Sequence, residues 1–267
     1  NPALKFGAGV LEAGDPVPFQ VRIRPDGGQE EPPLFSEQVG NPDVWQDAEV
    51  DLSPYAGQSV RITASAGGSG GNVLFWTSPL VYTPPERPFH VMVVLEDALR
   101  ADRASCYGYP HPTTPVKESL AKKGVLFSRA YAQATNTRPS CASFMTSLYP
   151  SMTGVWNATD ILPDRYLTLA EVLRSQGYAT ASFTQNINAG ANAGLHQGFS
   201  AVYDHDAMGS RAHHVYGNPA LKQWLERNAD RNIFVYLHIM DPHAPYDPPA
   251  PWTAGYRKPF LGGETKV

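Results

Sequence analysis

The chain has 267 residues, 42% hydrophobic and 17% charged, which is the composition of an ordered protein with room for one large domain or two smaller ones. A formal net charge of -4 with no Lys/Arg run gives no basic footprint for nucleic acid. Cys106 and Cys141 are too few for a disulfide framework, and no segment approaches the ~20 apolar residues of a membrane span.

In chain order, short β-type runs separated by Gly and Pro come first, at residues 19–23, 49–52, 59–64 and 73–76. No helical period runs between them, so the spacing predicts antiparallel strands of a sandwich. Residues 45–60, from Trp45 through Ser53-Pro54-Tyr55 to Val60, resemble jelly-roll modules of the carbohydrate-binding type. About half of such a module is expected in residues 1–84. Residues 67–71 read as a flexible hairpin loop, and residues 82–88, with three prolines, as a linker.

From residue 85 the rhythm becomes strand, helix, strand. Residues 90–95 form a continuous apolar run, expected of a strand buried on both faces. A short helix at 117–123 stops at Gly124, and residues 125–131 read as a second strand. Residues 168–175 read as an amphipathic helix, capped by Thr168 and stopped at Gly177. Strands follow at 179–184 and 233–239, with a helix at 219–227 between them. The alternation predicts an α/β domain over 85–267, a mostly parallel sheet flanked by helices, after a partial β-sandwich over 1–84. The chain opens at Asn1 without Met and stops at Val267 after a Pro-rich stretch, so both ends read as cuts within a longer protein.

In a parallel sheet, ligands gather beyond the carboxyl ends of the strands. Glu96-Asp97 closes the first strand, Asn136-Thr137-Arg138-Pro139-Ser140 follows the second, and His238-Ile239-Met240-Asp241-Pro242-His243 ends the last. A carboxylate can hold a cation, the cation lowers a hydroxyl pKa, and Arg138 or His243 can neutralise charge on ester oxygens. These are the parts of metal-assisted attack on an anionic ester. Each residue also has a plainer reading. Asp97 could be a turn former, Thr137 a helix cap ahead of Pro139, Arg138 a surface charge and His243 a packed ring between prolines. Joint placement on three strand ends favours the chemical reading. A helix beginning at Pro139 would also aim free N–H groups at the reacting group. His205, His213 and His214 read as a solvated loop.

Further along the same stretch, a series of motifs appears in fixed order. Val93-Val94-Leu95-Glu96-Asp97 leads to Cys106-Tyr107-Gly108-Tyr109, Thr113-Thr114-Pro115, Thr137-Arg138-Pro139-Ser140 and Leu148-Tyr149-Pro150. Gly177-Tyr178-Ala179-Thr180-Ala181 and Asp241-Pro242-His243-Ala244-Pro245-Tyr246 complete it. Over about residues 89–249 the series resembles the sulfatase family of the alkaline phosphatase superfamily. The resemblance implies an alkaline-phosphatase-like fold and the N-terminal portion of its catalytic domain, with the remaining ligands beyond residue 267. It makes Asp97 the first metal-binding aspartate, Thr137 the nucleophile and a metal ligand, and His243 a residue touching the ester's sulfate. The implied cofactor is a divalent ion, calcium, zinc or manganese. The implied partner is a sulfated or phosphorylated small molecule, glycan or lipid, and the implied location is the periplasm or the extracellular space.

Three departures bear on the chemistry. The family's Cys/Ser-x-Pro-Ser-Arg, whose first residue becomes formylglycine, is here Thr137-Arg138-Pro139-Ser140-Cys141. Threonine carries a methyl on its β-carbon and cannot give formylglycine. The family's paired aspartates are Asp97-Ala98, and its Gly-Lys-Trp-His segment is replaced by Thr184-Gln185-Asn186-Ile187. Threonine is the nucleophile in relatives that cleave or transfer phosphoryl groups, including nucleotide pyrophosphatases and phosphoethanolamine transferases. The expected function is a metal-dependent hydrolase that cleaves a sulfate or phosphate ester through Thr137. The alternatives are a phosphoryl transferase acting on a glycan or lipid, and a catalytically silent member whose sandwich binds carbohydrate.

Overall fold

Seven strands build the N-terminal unit: β1 Ala3–Val10, β2 Val17–Pro25, β3 Phe35–Val39, β4 Gln46–Asp51, β5 Val60–Ala66, β6 Leu74–Trp76 and β7 Leu80–Tyr82. The structure is a computed structural model that describes residues 1–29, 31–42, 45–68, 72–77, 79–204 and 219–244. Residues 69–71 of the expected hairpin loop, the three histidines at 205, 213 and 214, and Pro245-Tyr246 lie outside the described residues. The chain divides into two compact units, Asn1–Phe89 with Ala229–Asn232, and His90–Asn228 with Ile233–Val267.

The first unit is an antiparallel two-sheet sandwich. One sheet runs β4-β1-β6 with β7 also on β1, and the other runs β3-β2-β5. In β2 the alternation is plain, with Val17, Phe19, Val21 and Ile23 all buried. They meet Leu4, Phe6, Ala8, Val10 and Val50 from the facing sheet. Sequence patterning finds β2, β4, β5 and β6 but passes over β1, β3 and β7. In β1, Gly7 and Gly9 dilute the β-type signal. Gly9 has a packing reason, because a Cβ there would sit 3.0 Å from the Trp45 ring.

The second unit has β8 His90–Glu96, α1 Pro115–Lys123, α2 Thr137–Thr146, α3 Pro150–Thr153, α4 Leu169–Ser175, β9 Ala179–Thr184, β10 Ala201–Asp204, α5 Pro219–Arg227 and β11 Ile233–Ile239. The described strands form one sheet in the order β10-β9-β11-β8, every pair parallel. This is the expected α/β architecture. Phe234 and Tyr236 of β11 pack with Cys141, Ala142 and Met145 of α2 on one face. Val235 and Leu237 pack with Leu221 and Trp224 of α5 on the other. The central strands β9 and β11 are buried at every position; β11 is apolar but for His238, whereas β9 alternates apolar residues with the small hydroxyl residues Thr180, Ser182 and Thr184.

Two expectations are corrected. Among the described residues β8 is not buried on both faces: it pairs with β11 alone and its residues alternate, with Val91, Val93 and Leu95 against the core and Met92 and Val94 each 49% exposed. An apolar run therefore does not by itself separate an edge strand from a central one. Residues 125–131 form no strand, and Val125, Phe127 and Tyr131 are exposed. A β-prone composition becomes a strand only where a partner edge accepts its backbone groups. Here the carbonyls are met by side chains instead, the Tyr107 hydroxyl donating to the Phe127 carbonyl at 3.1 Å and Gln133 Nε2 to the Tyr131 carbonyl at 3.0 Å.

Candidate active site

The site is assembled at the carboxyl ends of β8, β9 and β11 together with the first turn of α2. Beyond β8 the ladder continues for one residue, the Asp97 amide donating to the Ile239 carbonyl at 2.9 Å. The chain then turns sharply at Ala98, whose φ of 58° lies in the left-handed region. That conformation costs a non-glycine residue roughly 1–2 kcal/mol, a strain often found beside functional groups. The neighbouring carboxylate, Glu96, is engaged elsewhere, in a 2.6 Å ion pair with Lys117.

Thr137 is the first residue of α2, so the helix starts two residues earlier than the Pro139 start expected from sequence. Asn136 holds the cap position in extended conformation, and no side chain caps this helix end. The Thr137 hydroxyl instead donates to Asp97 Oδ2 at 3.0 Å. The plainer reading of Thr137 as a helix cap therefore does not hold.

Two residues that sequence reading left unassigned also converge on that carboxylate oxygen. Asn186, just past β9, donates from Nδ2 to Asp97 Oδ2 at 3.2 Å and lies 3.4 Å from Met240 Sδ. His238 of β11, fully buried, brings Nε2 to 3.5 Å from the same oxygen. Burial pushes the His238 pKa down, the nearby Asp97 carboxylate pulls it up, and His243 pushes it down again. His243 is thus within electrostatic reach of His238. It makes no hydrogen bond to Asp97 or Thr137 among the described residues. Its backbone amide donates to the Met240 carbonyl at 2.8 Å, and its Nδ1 lies 2.7 Å from the Ala244 carbonyl. A carbonyl oxygen can only accept, so Nδ1 carries the proton and Nε2 keeps its lone pair when the ring is neutral.

Arg138 is buried, not a surface charge, and its guanidinium runs away from Asp97. Nε and Nη2 donate to Asn188 Oδ1 at 3.2 and 3.0 Å, and Nη1 donates to the carbonyls of Asp160 and Asn192 at 2.8 and 3.3 Å. Asn188 in turn donates its amide to Asn186 Oδ1 at 2.9 Å. A closed ring results, running Thr137, Asp97, Asn186, Asn188, Arg138 and back through the peptide bond to Thr137. Asp160 anchors the far side, its carboxylate held below the usual range by the N–H groups of Trp156 and Asn157. One turn past Thr137, burial pushes the Cys141 thiol up to about 11, and the Tyr236 hydroxyl lies 3.6 Å from its sulfur. A thiol kept protonated in a core is not a nucleophile.

As a metal-binding set, Asp97 and Thr137 supply the hard oxygen donors that a divalent cation takes. Among the described residues no group of three His, Cys, Asp or Glu side chains is placed to hold an ion. The pair therefore fits as one edge of a coordination shell. Sequence reading missed Asn186 because amides have no spacing signature, although the strand-end rule that found Asp97 also points to the residues just past β9, where Asn186 is the second. It placed Thr137 after a strand at 125–131 that does not exist. What positions Thr137 is the start of α2.

A family model described as Sulfatase matches residues 90–266. Human arylsulfatase A is 30% identical over 134 residues, covering 45% of this chain and 26% of that protein. N-acetylgalactosamine-6-O-sulfatase of Bacteroides thetaiotaomicron is 33% identical over 96 residues, covering 34% of this chain and 19% of that protein. Among solved structures, a phosphonate monoester hydrolase of Agrobacterium radiobacter superposes with a TM-score of 0.51 at 23% identity, over 62% of this chain and 43% of that one. A protein crystallised with its substrate D-glucosamine-2-N,6-O-disulfate gives 0.52 at 18% identity, over 61% and 36%. At these identities the structural likeness is one of fold. The chain spans about a quarter or less of the length of these curated relatives.

Proposed function

Because this chain belongs to the sulfatase family, with its family domain at residues 90–266, we propose that it carries the nucleophile-bearing part of an ester hydrolase acting on a sulfate or phosphate ester through Thr137. The observation that carries this reading is the 3.0 Å hydrogen bond from the Thr137 hydroxyl to Asp97 Oδ2 at the carboxyl edge of the parallel sheet. With its proton directed at Asp97, the Thr137 oxygen keeps its lone pairs for attack. As the Oγ–phosphorus or Oγ–sulfur bond forms and the bond to the leaving oxygen breaks, the threonine proton passes toward Asp97, and the leaving oxygen takes a proton from solvent. A divalent ion held by Asp97 and Thr137 would lower the hydroxyl pKa and balance charge on the ester oxygens. His243, whose Nε2 makes no hydrogen bond among the described residues, is suited to donate to those oxygens when protonated. Arg138 acts by positioning, since its guanidinium ties the start of α2 to the loop that carries Asn186.

Threonine in place of a formylglycine precursor favours a phosphate ester within the sulfate-or-phosphate class, and a phosphoryl transferase acting on a glycan or lipid is the second reading. A sulfated or phosphorylated sugar suits the first, in line with the sulfated sugar bound by one structural neighbour. The test is an activity panel on the intact protein, using p-nitrophenyl sulfate, a phosphate monoester and a phosphodiester, with and without chelator. Chelator-sensitive turnover of a phosphate ester supports the proposal. Absence of turnover on every ester, with metal in excess, refutes it and favours the catalytically silent alternative.

A further inference from the structure

His238 is a polar outlier in this fold. It lies within β11, between Leu95 on β8 and Thr184 on β9, and its side chain has no exposure. Residues 234, 236 and 238 share one face of the strand, the face that α2 covers. Phe234 and Tyr236 fill that space with rings, and at the third position an apolar side chain would serve as well. Instead both ring nitrogens of His238 are buried without a hydrogen-bond partner among the described residues. An unpartnered buried polar group costs roughly 1–3 kcal/mol, so its presence calls for a physical reason.

His238 Nε2 faces Asp97 Oδ2 at 3.5 Å, just beyond a good hydrogen bond. That oxygen already accepts from Thr137 Oγ1 and Asn186 Nδ2, whereas Oδ1 takes no hydrogen bond among the described residues. We propose that His238 is a positioning residue for Asp97, with its Nε2–H directed at Oδ2 from beneath the sheet edge so that Oδ1 stays free for the site. A neutral imidazole carries one proton. With the proton on Nε2 the approach is attractive, whereas the other tautomer would set a lone pair against the carboxylate. Outer partners of this kind fix the rotamer and basicity of a ligating carboxylate, and their loss commonly weakens metal binding 10–100-fold.

This inference rests on Asp97 being the ligand and proton-accepting group proposed above, so the test includes that residue. In the intact protein, Mn2+ is titrated into wild type, Asp97→Asn, His238→Leu and His238→Gln by calorimetry, with thermal midpoints and kcat and KM measured alongside. His238→Leu is expected to keep or raise the midpoint, because it removes an unpaired buried imidazole. It is expected to weaken Mn2+ binding about 10–100-fold and to lower kcat with KM little changed. His238→Gln, whose terminal amide reaches the same point as Nε2, is expected to restore most of the affinity and kcat. If His238→Leu keeps wild-type affinity and kcat while Asp97→Asn loses both, the proposal for His238 falls and that for Asp97 stands. If Asp97→Asn keeps them too, both fall. Equal losses in the Leu and Gln variants that merely follow a lowered midpoint would make His238 a packing residue and overturn the proposal.

Discussion

At the residue scale, Thr137 and Arg138 are adjacent in sequence but have different surroundings and predict different failures. The Thr137 hydroxyl caps nothing, so Thr137→Ala should leave the unfolding midpoint within a degree or two of wild type while turnover falls by several orders of magnitude. Thr137→Ser keeps the oxygen and should retain part of the activity. Steady-state kinetics beside a thermal melt checks both. A variant that lost stability and kept turnover would return Thr137 to a structural role. Arg138 should behave in the opposite way. Arg138→Gln leaves Asn188 Oδ1 and the carbonyls of Asp160 and Asn192 short of donors and should cost roughly 1–3 kcal/mol in denaturant unfolding. Arg138→Lys should not recover it, since an ammonium cannot fork between three acceptors.

At the element scale, α4 shows how closely local signals and tertiary fit can agree. The Thr168 hydroxyl accepts from the Glu171 amide while the Glu171 carboxylate accepts from the Thr168 amide, a reciprocal capping box legible in the sequence Thr168-Leu169-Ala170-Glu171. Nothing in that sequence tells that Gly198 lies against the same turn. A Cβ on Gly198 would overlap the backbone of Ala170 and Glu171, and φ there is +84°. Gly177, at the other end of α4, has φ +83° with nothing within 4 Å of an added Cβ. Gly177→Ala should therefore cost only the left-handed backbone term, about 1–2 kcal/mol, and Gly198→Ala far more, because backbone cannot give way. Denaturant midpoints of the two variants check the contrast. Equal small losses would mean that the loop at Gly198 shifts freely.

At the scale of the whole molecule, the free flank of the second unit stands out. β8 pairs with β11 alone among the described residues. Its outward residues Met92 and Val94 are half exposed, and Val94 also borders a cleft of about 660 Å³ lined with Leu99, Leu120, Val125 and Leu126. A bare strand edge beside apolar surface is a template for association. The 267-residue chain by itself should bind the dye ANS and self-associate as concentration rises. The double substitution Met92→Lys with Val94→Glu should reduce both without lowering the thermal midpoint. A monomer that binds no dye at any concentration would show this face to be covered.

The sequence by itself determined β8, α1, α4, β9, α5 and β11 in that order, the parallel sheet and the strand ends where chemistry gathers, but it passed over α3 and β10 and read a strand at 125–131 that does not form. Period-2 and continuous apolar runs, turn residues and the Thr168 cap are local consequences of backbone geometry, and local geometry is written in local sequence. The resemblance added Asp97, Thr137 and His243 as a set. Tertiary structure alone decided which groups meet. Asn186 and His238 reach Asp97 from strands 89 and 141 residues further along the chain, distances over which no periodic signal carries. Burial was likewise beyond the sequence: Arg138 became an internal clamp, Cys141 an inert core thiol, and β8 the last of the described strands in its sheet. Charge and apolarity belong to a residue. Whether solvent, a core or another side chain faces it is settled by how the sheet stacks its strands.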